Sequence, residues 1–473
     1  MPQSVVFLVD SRHRDLDGIS LIAHHLEKMG VTAHLEPLEA YKAAIPVHRP
    51  GMLVFNHLTA SHLVKWSLRL REMNIKCAVL PNEGISYDAD DQRYMAGRLH
   101  KDANIDVYFC WNQQHRKALE DTGVAKRIEV VGVPRFDFYF EPWRNIFPKQ
   151  EKTRPRILVN TNFPLVKFAT MRSELADAQF KGWLAIPRYR DYYGAIAANV
   201  RAQEKFFKYL DALLATDEYE VIVRPHPAED PTIYKQRLKD RNVTIDIGTN
   251  VTGSILSADL VVHCETCTTA LEAWIAHKPT ISLIFDKHQL WYHEEQAKAC
   301  VECDQPSELS GIVRRTVFKT VGYELSRARS EHLMKWCNSP SGLSARYVAE
   351  NIARELADKA PADFSSLNRS DARRALRVRA ANAIGEAYHF DPFLSLKHFL
   401  MPRRYGMRSH SYEKSIKPAD VEASKKKIMD SDNHPPKQYR GGHDSADLDD
   451  PMSSMNYRIR GSGPYNISPT KSE

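Results

Sequence analysis

The chain has 473 residues, 43% hydrophobic and 26% charged, with a formal net charge of +7 from 66 basic and 59 acidic side chains. That length exceeds one ordinary core and calls for two or three domains. The mild positive balance is scattered: it suits an anionic substrate and gives no reason to invoke nucleic acid. No run approaches the roughly 20 apolar residues of a membrane-spanning helix.

The opening MPQSVVFLVDSRHRD has a short apolar run but neither a basic leader nor a small-residue cleavage site. It reads as a β-strand and not a signal peptide, so a cytoplasmic location is expected. Seven cysteines, an odd number, fit reduced thiols there. The helix GISLIAHHLEKMG follows and stops at Gly30. MLVFN, SHLVKWSLRLREMN and CAVL repeat the scheme, and IDVYFC, NQQHRKALEDTG and RIEVVG complete a first block near Phe138. Strands alternating with helices predict right-handed crossovers and a parallel sheet. EPWRNIFPKQEKTRP reads as a linker. RILVN, a helical region around 191–214, YEVIVR, VTIDI, DLVVH and PTISLIF then build a second sheet, with TTALEAWIAH and SARYVAENIAREL as helices. The predicted architecture is α/β: a first Rossmann-like domain over 1–141, a second over 142–357, and a segment over 358–473. That last segment holds the basic helix NRSDARRALRVRAANAIGEAY and then, from about 405, an aliphatic-poor stretch expected to be disordered or loosely attached. Two doubly wound domains in tandem bind ligands at the carboxyl ends of their strands.

The strongest motif is VIVRPHPAEDP, residues 221–231. A strand runs into Arg224, whose planar charged fork suits phosphate, and into His226, fixed between two prolines. In DLVVHCETCTTALEAWIAH a strand ends at His263 and a helix starts near Thr268. Thr268 and Thr269 offer a cap, hydroxyls and a helix N-terminus for phosphate. Glu272 lies one turn on, within reach of a ribose hydroxyl, or serves only as a first-turn acid favoured by the dipole. In KCAVLPNEGISYD a strand delivers Asn82, Glu83 and Gly84 to the first domain's side of the cleft, where a carboxylate could deprotonate an acceptor hydroxyl. Arg14, Asp15 and Asp17 follow the first strand and also face the cleft, although Asp17 serves equally well as a helix cap. In VVGVPRFDFY, Asp137 lines the cleft or, with Gly132 and Pro134, only shapes the hinge.

Two CxxC pairs, Cys264/Cys267 and Cys300/Cys303, could together offer four thiolates to zinc. Their separation exceeds that of a zinc ribbon, and the first pair falls inside the phosphate loop. The expectation is therefore no metal and no cofactor.

At Asn82-Glu83-Gly84, His226-Pro227 and Thr268-Thr269 the sequence resembles the acidic-Gly, His-Pro and Ser/Thr motifs of bacterial sialyltransferase-like enzymes, capsular Kdo transferases and teichoic-acid polymerases. Arg14-Asp15-Leu16-Asp17, Val133-Pro134-Arg135-Phe136-Asp137 and Arg224-Pro225-His226-Pro227 are more specifically similar to bacterial surface carbohydrate biosynthesis proteins. The resemblance covers about residues 4–357. It implies a GT-B fold, a cytidine nucleotide donor and inverting transfer without an essential metal. By that resemblance Glu83 is the general base, His226 holds the donor phosphate, and Thr268 and Thr269 supply hydroxyls. Asn82 departs from the family pattern, which has a second acid there. The implied partners are a nucleotide-activated sugar and a carbohydrate or lipid-linked glycan acceptor. A CDP-polyol phosphotransferase and a non-catalytic assembly protein are the rival readings. Peripheral association of the basic segment with the inner membrane face is left open.

Overall fold

The structure is a computed structural model that describes residues 3–148, 151–180, 189–317, 322–386 and 416–433, apart from residues 86, 88–91, 93–95, 97–101, 172, 249 and 358. Each predicted apolar run in the first block is a strand. The elements are β1 (Ser4–Val9), α1 (Leu16–Lys28), β2 (Thr32–Pro37), α2 (Tyr41–His48), β3 (Met52–Phe55), α3 (Ser61–Glu72), β4 (Lys76–Val79), β5 (Ile105–Cys110), α4 (Gln113–Glu120) and β6 (Ala125–Val130). All pairings are parallel, in the order β2-β1-β3-β4-β5-β6. Alternate residues of β1 explain the continuous apolar run. Val5, Phe7 and Val9 enter the core under α1, while Val6 and Leu8 enter another with Tyr41, Ile45 and Trp66. A strand covered on both faces has no polar side to show.

The second sheet starts after a 3₁₀ segment, Pro134–Tyr139. It comprises β7 (Arg156–Asn160), α5 (Val166–Ala169), α6 (Ser173–Phe180), α7 (Tyr192–Leu214), β8 (Glu220–Arg224), α8 (Pro231–Arg237), β9 (Thr244–Ile245), α9 (Val251–Ser257), β10 (Leu260–Cys264), α10 (Thr268–Ile275), β11 (Thr280–Leu283), α11 (Glu294–Ala297) and β12 (Val301–Cys303). The order β12-β11-β10-β7-β8-β9 is that of a dinucleotide-binding sheet, again all parallel. VTIDI shortens to the two residues of β9; just beyond it the Asp246 N–H still bonds to the Val223 carbonyl, while its carboxylate accepts from Arg224 and Ser254. The fold is thus α/β with two doubly wound parallel sheets, the architecture of the GT-B class. Both sheets lie in one compact unit, Met1–Pro435.

Among the described residues four helices follow: α12 (Leu309–Thr316), α13 (Tyr323–Cys337), α14 (Ser344–Ala357) and α15 (Arg369–Ala383). A fifth, α16, spans Pro418–Asn433. α14 comes from the segment read as second-domain sequence, yet its Val348, Ala349, Ile352 and Leu356 share the core of β1 and α1. The stretch after residue 405, expected to be loosely attached, is packed where it is described. Ile416 and Ile428 are buried in that same core. Few aliphatics suffice, because Val421, Ser424, Ile428 and Ser431 fall on one helical stripe and the buried serines let α16 approach α1 closely. Ser424 Oγ donates to Asp17 Oδ1 at 2.6 Å, and Asp432 meets His24 and Lys28. Residues 434–473 lie outside the described residues. Among those described, no helix is long and apolar enough to cross a membrane.

Candidate functional site

Loops leaving the carboxyl ends of both sheets meet one another. Asn250, which caps α9, donates to Asp17 Oδ2 at 2.7 Å across the two sheets. His13, after β1, lies against Gly248 beyond β9, and burial with the charges of Arg12 and Arg224 lowers its pKa. The turn after β4 shows why the sequence needs glycine there. A Cβ on Gly84 would stand 2.5 Å from the Trp111 ring, so the loop lies flat on the indole. Asn112 locks it by donating to the Gly84 carbonyl at 2.8 Å.

Arg14 organises the first-domain side. Its guanidinium reaches Glu83 Oε1 at 3.0 Å, Asp15 Oδ1 at 2.9 Å and Asp10 Oδ2 at 3.4 Å. Glu83 keeps 77% of its side-chain surface exposed, which leaves its carboxylate open to an incoming group. Asp15 is buried and its pKa is raised by that burial, against the pull of Arg14.

Across from it sits the loop after β8. His226 Nδ1 accepts from the Ala228 N–H at 3.1 Å. That bond fixes the neutral tautomer, so Nε2 carries the hydrogen and is a donor. Burial lowers the His226 pKa to about 4, opposed by the nearby Glu83 carboxylate and reinforced by Lys167 and Arg14. The Glu83 and Arg14 fields at His226 place the two halves of the site in one electrostatic neighbourhood. Glu229 builds this loop. It accepts from Thr161 Oγ1 at 2.7 Å, Phe163 N at 2.8 Å, His226 N at 3.2 Å and the Tyr234 hydroxyl.

A buried polar layer lies on the face of the second sheet toward α9 and α10. Arg224 pairs with Asp246 at 2.6 Å. Glu272 is 3% exposed, receives the Tyr139 hydroxyl at 2.7 Å and lies 4.0 Å from Arg135. Burial raises its pKa. Arg135 also donates to the Asn82 carbonyl at 2.8 Å and stacks over Trp111, tying the Glu83 turn to α10. Between Arg224 and His263 in the sheet register sits Asn160. It is 3% exposed, and its amide finds no partner among the described residues.

The predicted residues therefore divide. Arg14, Asn82, Glu83, Gly84, Arg224 and His226 gather at the meeting loops. Cys267, not Thr268, is the N-cap of α10, which leaves Thr268 exposed at the first helical position and Thr269 beside the Cys267 sulfur at 3.0 Å. Glu272 sits beneath the surface with Tyr139, and Asp17 is held by Asn250 and Ser424. Asp137 points elsewhere: it is 1% exposed and accepts the Ser344 and Ala345 N–H groups that begin α14. Sequence reasoning missed Glu229, Arg135 and Asn160. Glu229 and Arg135 each carried a local signal, the first as an acid of RPHPAEDP and the second inside VPRFD, whereas Asn160 carried none. Cys264 and Cys303 are buried, the Cys300 sulfur lies 3.7 Å from His263 Nε2, and no described cluster of His, Cys, Asp or Glu has metal-holding geometry.

No family model matches the chain, and no curated protein matches it. Solved structures do. The Staphylococcus aureus MnaA–UDP co-structure is similar at 12% identity and a TM-score of 0.47, covering 77% of this chain and 100% of that one. A putative UDP-N-acetylglucosamine 2-epimerase from Listeria monocytogenes gives 10% and 0.47, covering 77% and 99%. A variant of the wall teichoic acid polymerase TagF gives 13% and 0.49, covering 76% and 89%. With TM-scores under 0.5, the fold class rests on the strand orders above.

Proposed function

We propose that this chain is a glycosyltransferase of the GT-B type that builds a surface polysaccharide, moving an acidic sugar from a CMP-activated donor to a carbohydrate hydroxyl. The observation that carries the reading is the exposed Glu83 carboxylate, held by Arg14, facing the neutral His226 and the Arg224 loop across the meeting strand ends. Glu83 takes the proton of the acceptor hydroxyl as its oxygen bonds to the anomeric carbon. The bond from that carbon to the CMP phosphate oxygen breaks, and its electron pair leaves with the phosphate. The charge developing there is met by the Nε2–H of His226 and by Arg224. Thr268 and Thr269 at the start of α10 add hydroxyls to the donor loop, and Glu272 beneath them supports it through Tyr139 and Arg135. No resident metal enters this scheme.

The test is a thermal-shift screen against CMP, CDP, UDP and GDP, followed by product analysis with CMP-sugars and CDP-polyols. A nucleotide at a hundred times its dissociation constant stabilises by about 2.7 kcal/mol. CMP or CDP should raise the melting temperature, and His226→Ala should abolish that rise. Glu83→Gln keeps the shape without the basicity. It should cut turnover about a hundredfold or more with nucleotide affinity nearly unchanged. Stabilisation by UDP alone overturns the donor assignment. Transfer from a CDP-polyol but from no CMP-sugar makes the reaction phosphoryl transfer.

A further inference from the structure

α15 carries five arginines and one aspartate, Arg369, Arg373, Arg374, Arg377, Arg379 and Asp371. Its inner side buries Asp371, Ala375 and Val378, and Asp371 is held by Arg69 and Arg374. The capping box of Asn368 and Asp371 fixes its start. Its outer side is a stripe at helical spacing: Arg369, Arg373, Leu376, Ala380 and Ile384, all exposed. Leu376 is 68% and Ile384 66% exposed, the two most exposed of the large apolar side chains that reach the surface among the described residues. Arg379 flanks the stripe and is exposed as well.

We infer that the outer face of α15 docks the protein on an anionic lipid surface. A protein partner would want a contiguous apolar centre depleted of charge and on the order of 1,000 Å² of interface. The stripe offers two separated apolar side chains ringed by arginines, which is the wrong composition for such a centre. A bilayer accepts that pattern. Leu376 and Ile384, two helical turns apart, insert singly between headgroups, and each arginine adds its own attraction to anionic phosphates. The contact is interfacial, made by the outer face of one helix. It would bring a transferase to a lipid-linked acceptor, yet vesicle binding involves no donor, so it stands or falls separately from the proposed chemistry.

The experiment is co-sedimentation of the full chain with phosphatidylcholine vesicles, pure or with about one third phosphatidylglycerol. The wild type should prefer the anionic vesicles by about tenfold or more, and lose that preference between about 0.05 M and 0.5 M salt. Arg369→Gln/Arg373→Gln/Arg379→Gln should weaken binding about a hundredfold, at roughly fivefold for each charge near an anionic surface. Leu376→Ser/Ile384→Ser should weaken it about tenfold while leaving the melting temperature in place, since both side chains face outward. Lys208→Gln/Lys235→Gln/Lys239→Gln removes the same charge from exposed sites on the second domain. It should change binding by no more than about twofold. Absence of anionic preference in the wild type overturns the inference. So does a loss in the lysine variant equal to that in the arginine variant, or binding indifferent to the Leu376/Ile384 change.

Discussion

Glu229 gives the sharpest check on how the His226 loop is held. One carboxylate accepts from two backbone N–H groups, Phe163 and His226, and from two hydroxyls, Thr161 and Tyr234. Burial raises its pKa against those bonds. Glu229→Ala removes the shared acceptor and orphans the Phe163 N–H and the Thr161 and Tyr234 hydroxyls, while the His226 N–H keeps Thr161 Oγ1 at 3.1 Å; each orphan costs about 1–3 kcal/mol with incomplete additivity. Relaxation and entering water reduce the sum, so a net loss of about 3–5 kcal/mol is expected. At about 2.1 cal/mol/K per residue over the unit Met1–Pro435, the unfolding entropy is near 0.9 kcal/mol per degree, and the melting temperature should fall by about 3–5 °C. Glu229→Gln is the control. Its Oε1 still accepts from Thr161, Phe163 and His226, and its amide donates to the Tyr234 oxygen, so melting should stay within about 1 °C. Differential scanning fluorimetry with and without CMP reads both properties. The alanine variant should also lose most of the nucleotide shift, because the loop that aims His226 is released. An alanine variant that melts like wild type and keeps the shift would refute the assignment of Glu229 as the builder of this loop.

Asp137 makes stability depend on pH. Burial raises its folded-state pKa to about 7, opposed by the bonds from Ala345 and Ser344. With a folded pKa above the unfolded one, its contribution is full below about pH 4 and is lost as pH rises to about 7. Asp137→Asn should therefore gain on wild type in denaturant melts across that window and hold a constant difference above it; a pH-independent difference would contradict the burial. A chain ending at residue 404 should lose the burial of Ile416 and Ile428. At about 1.5–3 kcal/mol for each, its melting temperature should drop by about 3–6 °C, and unchanged melting would show that α16 contributes nothing to the fold.

The strand–helix alternation was legible in the sequence because it is a local property. Runs such as VVFLV and DLVVH are apolar throughout only when helices cover both faces of a parallel sheet. The carboxyl ends carrying Glu83, Arg224 and His226 followed from the same pattern, since Arg224 closes β8 and the other two lie in the loops that follow β4 and β8. Which of those loops meet was a tertiary matter. Asp137 follows β6 as Glu83 follows β4, yet the return of α14 to the first sheet, some 200 residues later in the chain, turns it into that helix's cap. Thr268 looked like a cap from its neighbours, but it is itself the first helical residue, and the cap position falls on Cys267. The helix α16 was hidden because composition averages over a window, whereas a single stripe of Val421, Ile428 and two small serines decides whether the helix packs. Asn160 had no signal in the sequence, and Arg135, though it lies in the VPRFD motif, showed no role there. Their meaning lies in neighbours 60 to 140 residues away, Arg224 and His263 for one and Glu272 for the other, which only the closure of the second sheet brings beside them.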